Sequence, residues 1–209
     1  MTAVLHPYYL QQMGIARWLL RETPVVERKL VRLSQTVSQC TRCPLHEQRH
    51  QTHVAQGPSD SKLMVIGDAP ARLSSPKAAH LFDQMIQSIG LTRDDIYCVH
   101  LLKCELPNRQ EPTAFEITQC SAYLSEQIAL VAPTFIWALG PLVAQSLLNI
   151  TQPLSTWRES LHDYNGIPVL VSYHPAYLLA HPLKKKQAYR DLLRLDTHAT
   201  TYRKRIHVD

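Results

Sequence analysis

The feature that most constrains this chain is a repeated switch of hydrophobic period. "KLMVIG" (62–67), "DIYCVHLLKC" (95–104), "TFIWALG" (134–140) and "IPVLVSYHP" (167–175) are short, almost wholly apolar runs. Runs of this kind read as strands buried on both faces. Between and after them lie segments of helical period: "AAHLFDQMIQSIG" (78–90), "TAFEITQCSAYLSEQIALVAP" (113–133), "PLVAQSLLN" (141–149) and "PLKKKQAYRDLLRL" (182–195). Gly90 supplies a helix stop, Thr113 with Glu116 a capping box, and Pro141 a first-turn proline. Alternation of this type predicts a three-layer α/β/α domain with a mainly parallel, four-stranded sheet. Functional groups in such domains gather beyond the C-terminal ends of the strands. There the chain places "GDAPARLSSP", "HLLKC" and "HPAYLL".

Three segments follow from the pattern. Residues 1–23 stand outside the alternation and end at Pro24, 24–195 form the domain, and 196–209 are a basic tail. Within the first, Leu10, Met13, Ile15 and Trp18 make an apolar cluster suited to anchoring a partner. After Pro24, "VVERKLVRLSQTVSQC" reads as an amphipathic helix leading to the first cysteines. No apolar run approaches the roughly 18 residues of a spanning helix, and the N-terminus lacks the pattern of a secretory signal. A cytoplasmic protein without membrane contact is therefore expected. The formal charge of +5 permits a weak contact with DNA.

Five cysteines without an export signal point to thiols or metal rather than disulfides. Cys40 and Cys43 are three apart ahead of the first strand, Cys104 ends the second strand, and Cys120 lies in the next helix. Four thiolates from three segments suit zinc or an iron–sulfur cluster. The spacing alone leaves open a set of unrelated buried cysteines. Cys98, inside a strand, reads as core.

"CTRCPL", "VIGDAP", "KCELPNRQEP…C" and "HPAYLL", in that order over about residues 28–195, resemble the family 4 uracil-DNA glycosylases. The resemblance implies a 4Fe–4S cluster on Cys40, Cys43, Cys104 and Cys120. It also marks where the chain departs from the pattern. The family's first motif has Glu where Asp68 stands and Gly where Ala71 stands, and it ends in Pro-Phe-Val-Gly, whose Phe stacks on the base. Here the loop is about seven residues shorter than the family's and lacks that aromatic. His100 occupies the place of an Asn that reads the uracil edge. Glu105 occupies that of an Arg, where its charge would repel phosphate. His174 is retained. Read this way, Asp68, His100 and His174 are remnants of a pocket from which no catalysis is expected.

"LQQMGIARW" (10–18) resembles the N-terminus of the psi subunit of bacterial DNA polymerase III. That resemblance implies a non-catalytic, bacterial clamp-loader accessory subunit. Leu10, Met13, Ile15 and Trp18 would dock on the tau/gamma collar, and the domain would bind the chi subunit and, through it, single-stranded-DNA-binding protein. The alternative is an active iron–sulfur uracil-DNA glycosylase with altered base preference, working in base excision repair.

Overall fold

The computed structural model describes residues 24–70, 75–106, 111–149 and 153–206, with side chains up to residue 198. In chain order the elements are α1 (Val25–Ser38), α2 (Leu45–Gln48), β1 (Ala55–Gln56), β2 (Leu63–Gly67), α3 (Pro76–Gln87), β3 (Ile96–His100), α4 (Ala114–Val131), β4 (Phe135–Leu139), α5 (Pro141–Leu148), α6 (Leu154–Trp157), β5 (Leu161–Tyr164), β6 (Ile167–Ser172), α7 (Pro175–Ala180) and α8 (Lys185–Ile206). The sheet has six strands in the order β1-β3-β2-β4-β6-β5. The central four are parallel, and the two edges are antiparallel. The expected four-stranded sheet is therefore the inside of a larger, mixed one.

Side-chain alternation in the strands builds the two cores. Leu63 and Val65 of β2, Cys98 of β3, and Phe135 and Trp137 of β4 face one side, where α3, α7 and α8 cover them. Met64, Ile66, Tyr97, Val99, Ile136 and Ala138 face the other side, under α4, α5 and α6. Buried on both faces, each central strand has to be continuously apolar, which is why the four runs were legible.

The missed edge strands are short or half-exposed. β5 and β6 form a hairpin around Asn165 and Gly166, both with positive φ (52° and 85°). An Asn-Gly pair takes that conformation readily and suits a two-residue turn. The Asp163 carboxylate accepts from the Gly166 N–H at 3.0 Å and fixes the turn.

Thr113 and Glu116 form the capping box of α4: the Glu116 N–H donates to Thr113 Oγ1, and the Thr113 N–H to Glu116 Oε2. α8 continues through Ile206, into the segment read as a tail. No described helix is long and apolar enough to cross a membrane. Residues 1–23, with Leu10, Met13, Ile15 and Trp18, lie outside the described residues.

Candidate functional site

The chain runs from β2 to β3 on one side of β2, then crosses back to β4 and β6 on the other. Such a reversal leaves a crevice at the C-terminal ends of the strands. Asp68 and Ala69 after β2, Gly140 after β4, and Tyr173 and His174 after β6 line an open cleft of about 1280 Å³ at that point.

His174 follows β6 and caps α7. Its Nδ1 accepts from the Ala176 N–H at 3.1 Å. A neutral ring that accepts at Nδ1 carries its proton on Nε2. That Nε2 stands 3.6 Å from Asp68 Oδ1. The separation is too long for a hydrogen bond, and both side chains are nearly buried. Asp68 is itself held by the Ala69 N–H, which donates to Oδ1 at 2.8 Å.

His100 lies opposite Gly67 in the β2–β3 register. It is buried and is not among the side chains lining the cleft. Its ring stands behind Gly67: a Cβ there would meet His100 Nδ1 at 2.8 Å and His174 Nε2 at 3.9 Å. Glycine is thus required for close approach. Burial, reinforced by the neighbouring Lys103, pushes the His100 pKa down to about 3, so the ring is neutral at ordinary pH. The side chain in the place of an edge-reading amide is thus a neutral imidazole set behind the cleft wall. Glu105, expected to repel phosphate, faces His53 Nε2 at 3.1 Å.

Cys40, Cys43, Cys104 and Cys120 line one small pocket, together with Arg49 and Tyr123. The end of α1 delivers Cys40, the turn before α2 delivers Cys43, the segment after β3 delivers Cys104, and α4 delivers Cys120. Cys98 lies in the core against α3, away from this group. Arg49 Nη1 donates to Cys104 Sγ at 3.4 Å, and the Lys103 N–H donates to Cys120 Sγ at 3.3 Å. Burial pushes the Cys120 thiol up to about 11 and raises Cys43 as well, with the neighbouring cysteines adding to both. Thiols such as Cys43 and Cys120, which resist ionisation alone, are suited to a centre that supplies compensating positive charge.

No group of three or more His, Cys, Asp or Glu among the described residues is tight enough for a single metal ion. Tetrahedral zinc would bring its thiolates to about 3.8 Å from one another. The thiolates of a cubane cluster stand farther apart, on four separate irons. Four cysteine thiols lining one pocket, with two N–H···S contacts, are a donor set that an iron–sulfur cluster or zinc can take. Ala69 ties this pocket to the cleft. It packs with Cys104 and Cys120 while its neighbour Asp68 faces His174.

The fold and its switch-point cleft define a doubly wound α/β domain with a histidine–carboxylate site. Comparison with known proteins makes this specific. The sequence pattern described as the uracil DNA glycosylase superfamily matches residues 54–196, and the chain belongs to that superfamily. A type-4 uracil-DNA glycosylase of Thermotoga maritima is 30% identical over 156 residues, 70% of this chain and 81% of that protein. The type-4 enzyme of Archaeoglobus fulgidus is 28% identical over 174 residues, 76% and 87% of the two chains. That of Pyrobaculum aerophilum is 26% identical over 181 residues, 78% and 91%.

These relatives overturn the clamp-loader reading. Similarity to named glycosylases covers most of the chain, whereas the likeness to the psi subunit rests on residues 10–18 alone. The tau/gamma collar and the chi subunit fall with it as partners, and so does the accessory-subunit role.

Tyr177 was missed by sequence reasoning. It lines the cleft one helical turn beyond His174. The signal was an aromatic at i+3 from the retained histidine, and residues three apart on a helix share a face.

Proposed function

We propose that the protein is an iron–sulfur DNA glycosylase of altered base preference, acting in base excision repair. The observation that carries this reading is the approach of His174 Nε2 to Asp68 Oδ1, at 3.6 Å, in the switch-point cleft. An enzyme of this kind extrudes the target nucleotide into a pocket and stabilises charge as the glycosidic bond breaks. The Nε2–H of His174 would serve as the donor to negative charge growing on the departing base, a role that needs the ring to turn this N–H, buried and facing Asp68, into the cleft. The Asp68 carboxylate would accept a proton from an attacking water. The names of the relatives, type-4 uracil-DNA glycosylases, agree with a nucleobase as leaving group.

The altered preference follows from His100. An amide offers a donor and an acceptor side by side, whereas a neutral imidazole offers one of each on opposite edges. A pocket with His100 behind its wall gives up simultaneous reading of two adjacent groups on uracil.

Cys40, Cys43, Cys104 and Cys120 would hold a 4Fe–4S cluster. Its contribution when bound is to cross-link three chain segments beside the Asp68–Ala69 turn. Arg49 and the Lys103 N–H donate toward its sulfur ligands.

The test is base release from single- and double-stranded oligonucleotides carrying uracil, hypoxanthine or xanthine, scored by alkali-labile abasic sites. Release of at least one of these bases is expected, lost in both Asp68→Asn and His174→Ala. Release that survives both substitutions, or no release of any base by iron-loaded protein, contradicts the proposal.

A further inference from the structure

A column of stacked planar groups runs along the rim of the cleft. The Arg158 guanidinium lies over the Tyr173 ring at 4.3 Å. Tyr173 stacks on Tyr177, with centroids 5.3 Å apart and planes 13° apart. Tyr177 stacks on His181 at 4.1 Å and 11°. The inner end is rigid. Arg158 pairs with the buried Asp191 at 2.8 and 2.7 Å, Ser172 Oγ donates to the same carboxylate, and Tyr173 Oη donates to Gln187. The outer end is open. His181 is exposed, and its Nδ1 donates to the Tyr177 carbonyl at 3.2 Å, which fixes the ring plane.

The chain directly beyond this open ring is strongly cationic. Lys184 lines the cleft, and Lys185 and Lys186 are on the next positions. Leu183, between His181 and the lysines, is 93% exposed. The Lys184 ammonium at the cleft, beside an exposed aromatic ring in a cationic stretch, matches a strand that carries both phosphates and unstacked bases. Duplex DNA keeps its base faces covered, so a free ring face selects single-stranded or splayed DNA.

We infer that the Tyr173–Tyr177–His181 column is a nucleobase-stacking platform. On it, a base of single-stranded DNA flanking the target continues the stack on the outer face of His181, while Lys184 neutralises an adjoining phosphate. This deepens the glycosylase reading by naming how the strand is held, but it concerns binding and not excision. It also accounts for a site that works without the aromatic of the shortened loop: the stacking surface is carried by α7 and the turn after it, for the neighbouring base.

The experiment is fluorescence anisotropy with a labelled, unmodified single-stranded oligodeoxynucleotide, which the protein binds without turnover. Single strand should bind more tightly than the matching duplex. His181→Ala should weaken single-strand binding about 5- to 150-fold, the range for loss of one base–aromatic stack. His181→Phe should restore it, because stacking needs a ring and not an imidazole. Lys184→Gln should make the slope of log K against log salt shallower by about 0.7, the value per phosphate for a single strand. Thermal melts of the variants establish that each is folded. Unchanged affinity in His181→Ala, or a folded His181→Phe that binds no better than His181→Ala, overturns the platform. Either result leaves base release, measured separately, untouched, so the two proposals fail independently.

Discussion

Gly67→Ala is the perturbation that reads the geometry of the site most finely. The residue ends β2 between the two histidines, and its φ lies outside the left-handed range, so alanine meets no backbone penalty. The new Cβ would sit 2.8 Å from His100 Nδ1, and ordinary contacts begin at 3.4 Å. The ring must therefore retreat by about 0.6 Å, or β2 must shift by the same amount; overpacking of this size costs about 1–3 kcal/mol. Loss of a glycine from the unfolded chain returns about 0.4–1 kcal/mol. A net destabilisation of up to about 2.6 kcal/mol follows. His174 Nε2 lies 3.9 Å from the same point, an ordinary contact, so the histidine facing Asp68 is displaced when β2 itself shifts to relieve His100. Misplacing a reacting group by about 1 Å can cost about 100-fold in rate, so a loss of about 10- to 100-fold in base release is expected. Urea unfolding and single-turnover release measure the two effects. Gly166→Ala is the control: its Cβ meets nothing within 4 Å and only its positive φ is strained, so it should lose stability without losing activity. If Gly67→Ala matches the parent in both assays, His100 and His174 do not pack against this strand end as described.

Three further outcomes are expected. Anaerobically prepared protein should carry about four irons per chain, the content of one 4Fe–4S cluster; serine at Cys40, Cys43, Cys104 or Cys120 should lower iron and visible absorbance, and Cys98→Ser should not. Asp191→Leu should destabilise the fold by about 3–5 kcal/mol in thermal or urea melts, because it strands the buried Arg158 guanidinium; Asp191→Leu combined with Arg158→Met should recover most of that loss. His100 has a folded pKa of about 3 against 6.5 for an ordinary histidine, so the unfolded state alone takes up its proton as pH falls. Its contribution is constant above about pH 6.5 and is lost progressively toward pH 3, by up to about 1.4 kcal/mol per pH unit; pH-dependent urea melts should show a shallower acid decline in His100→Asn.

The central sheet was legible because burial on both faces forces unbroken apolar runs, and β2, β3, β4 and β6 each have one. β5 was not, since an edge strand alternates weakly, although "YNGI" (164–167) carries the Asn-Gly turn signal of a hairpin. β1 is too short for any period to register. Of the site, the order of the motifs assigned the four cysteines and His174 their place. It could not assign the position of His100 behind Gly67, which depends on strand register. In the column, Tyr173, Tyr177 and His181 lie four residues apart through α7, a spacing the sequence carries, whereas Arg158, at the end of α6, joins them only by packing. The reading of residues 10–18 failed for a different reason: a match of nine residues, mostly apolar and amide, recurs by composition.

Single-turnover release of a deaminated base from a single-stranded oligonucleotide, by iron-loaded protein and by His174→Ala, is the decisive measurement of base excision. Measurable release is predicted, falling about 100- to 10,000-fold in the variant, the range for loss of a positioned acid–base group, while iron content and melting temperature stay unchanged. Equal rates for the two proteins, or no release from either, would contradict a glycosylase that works through His174.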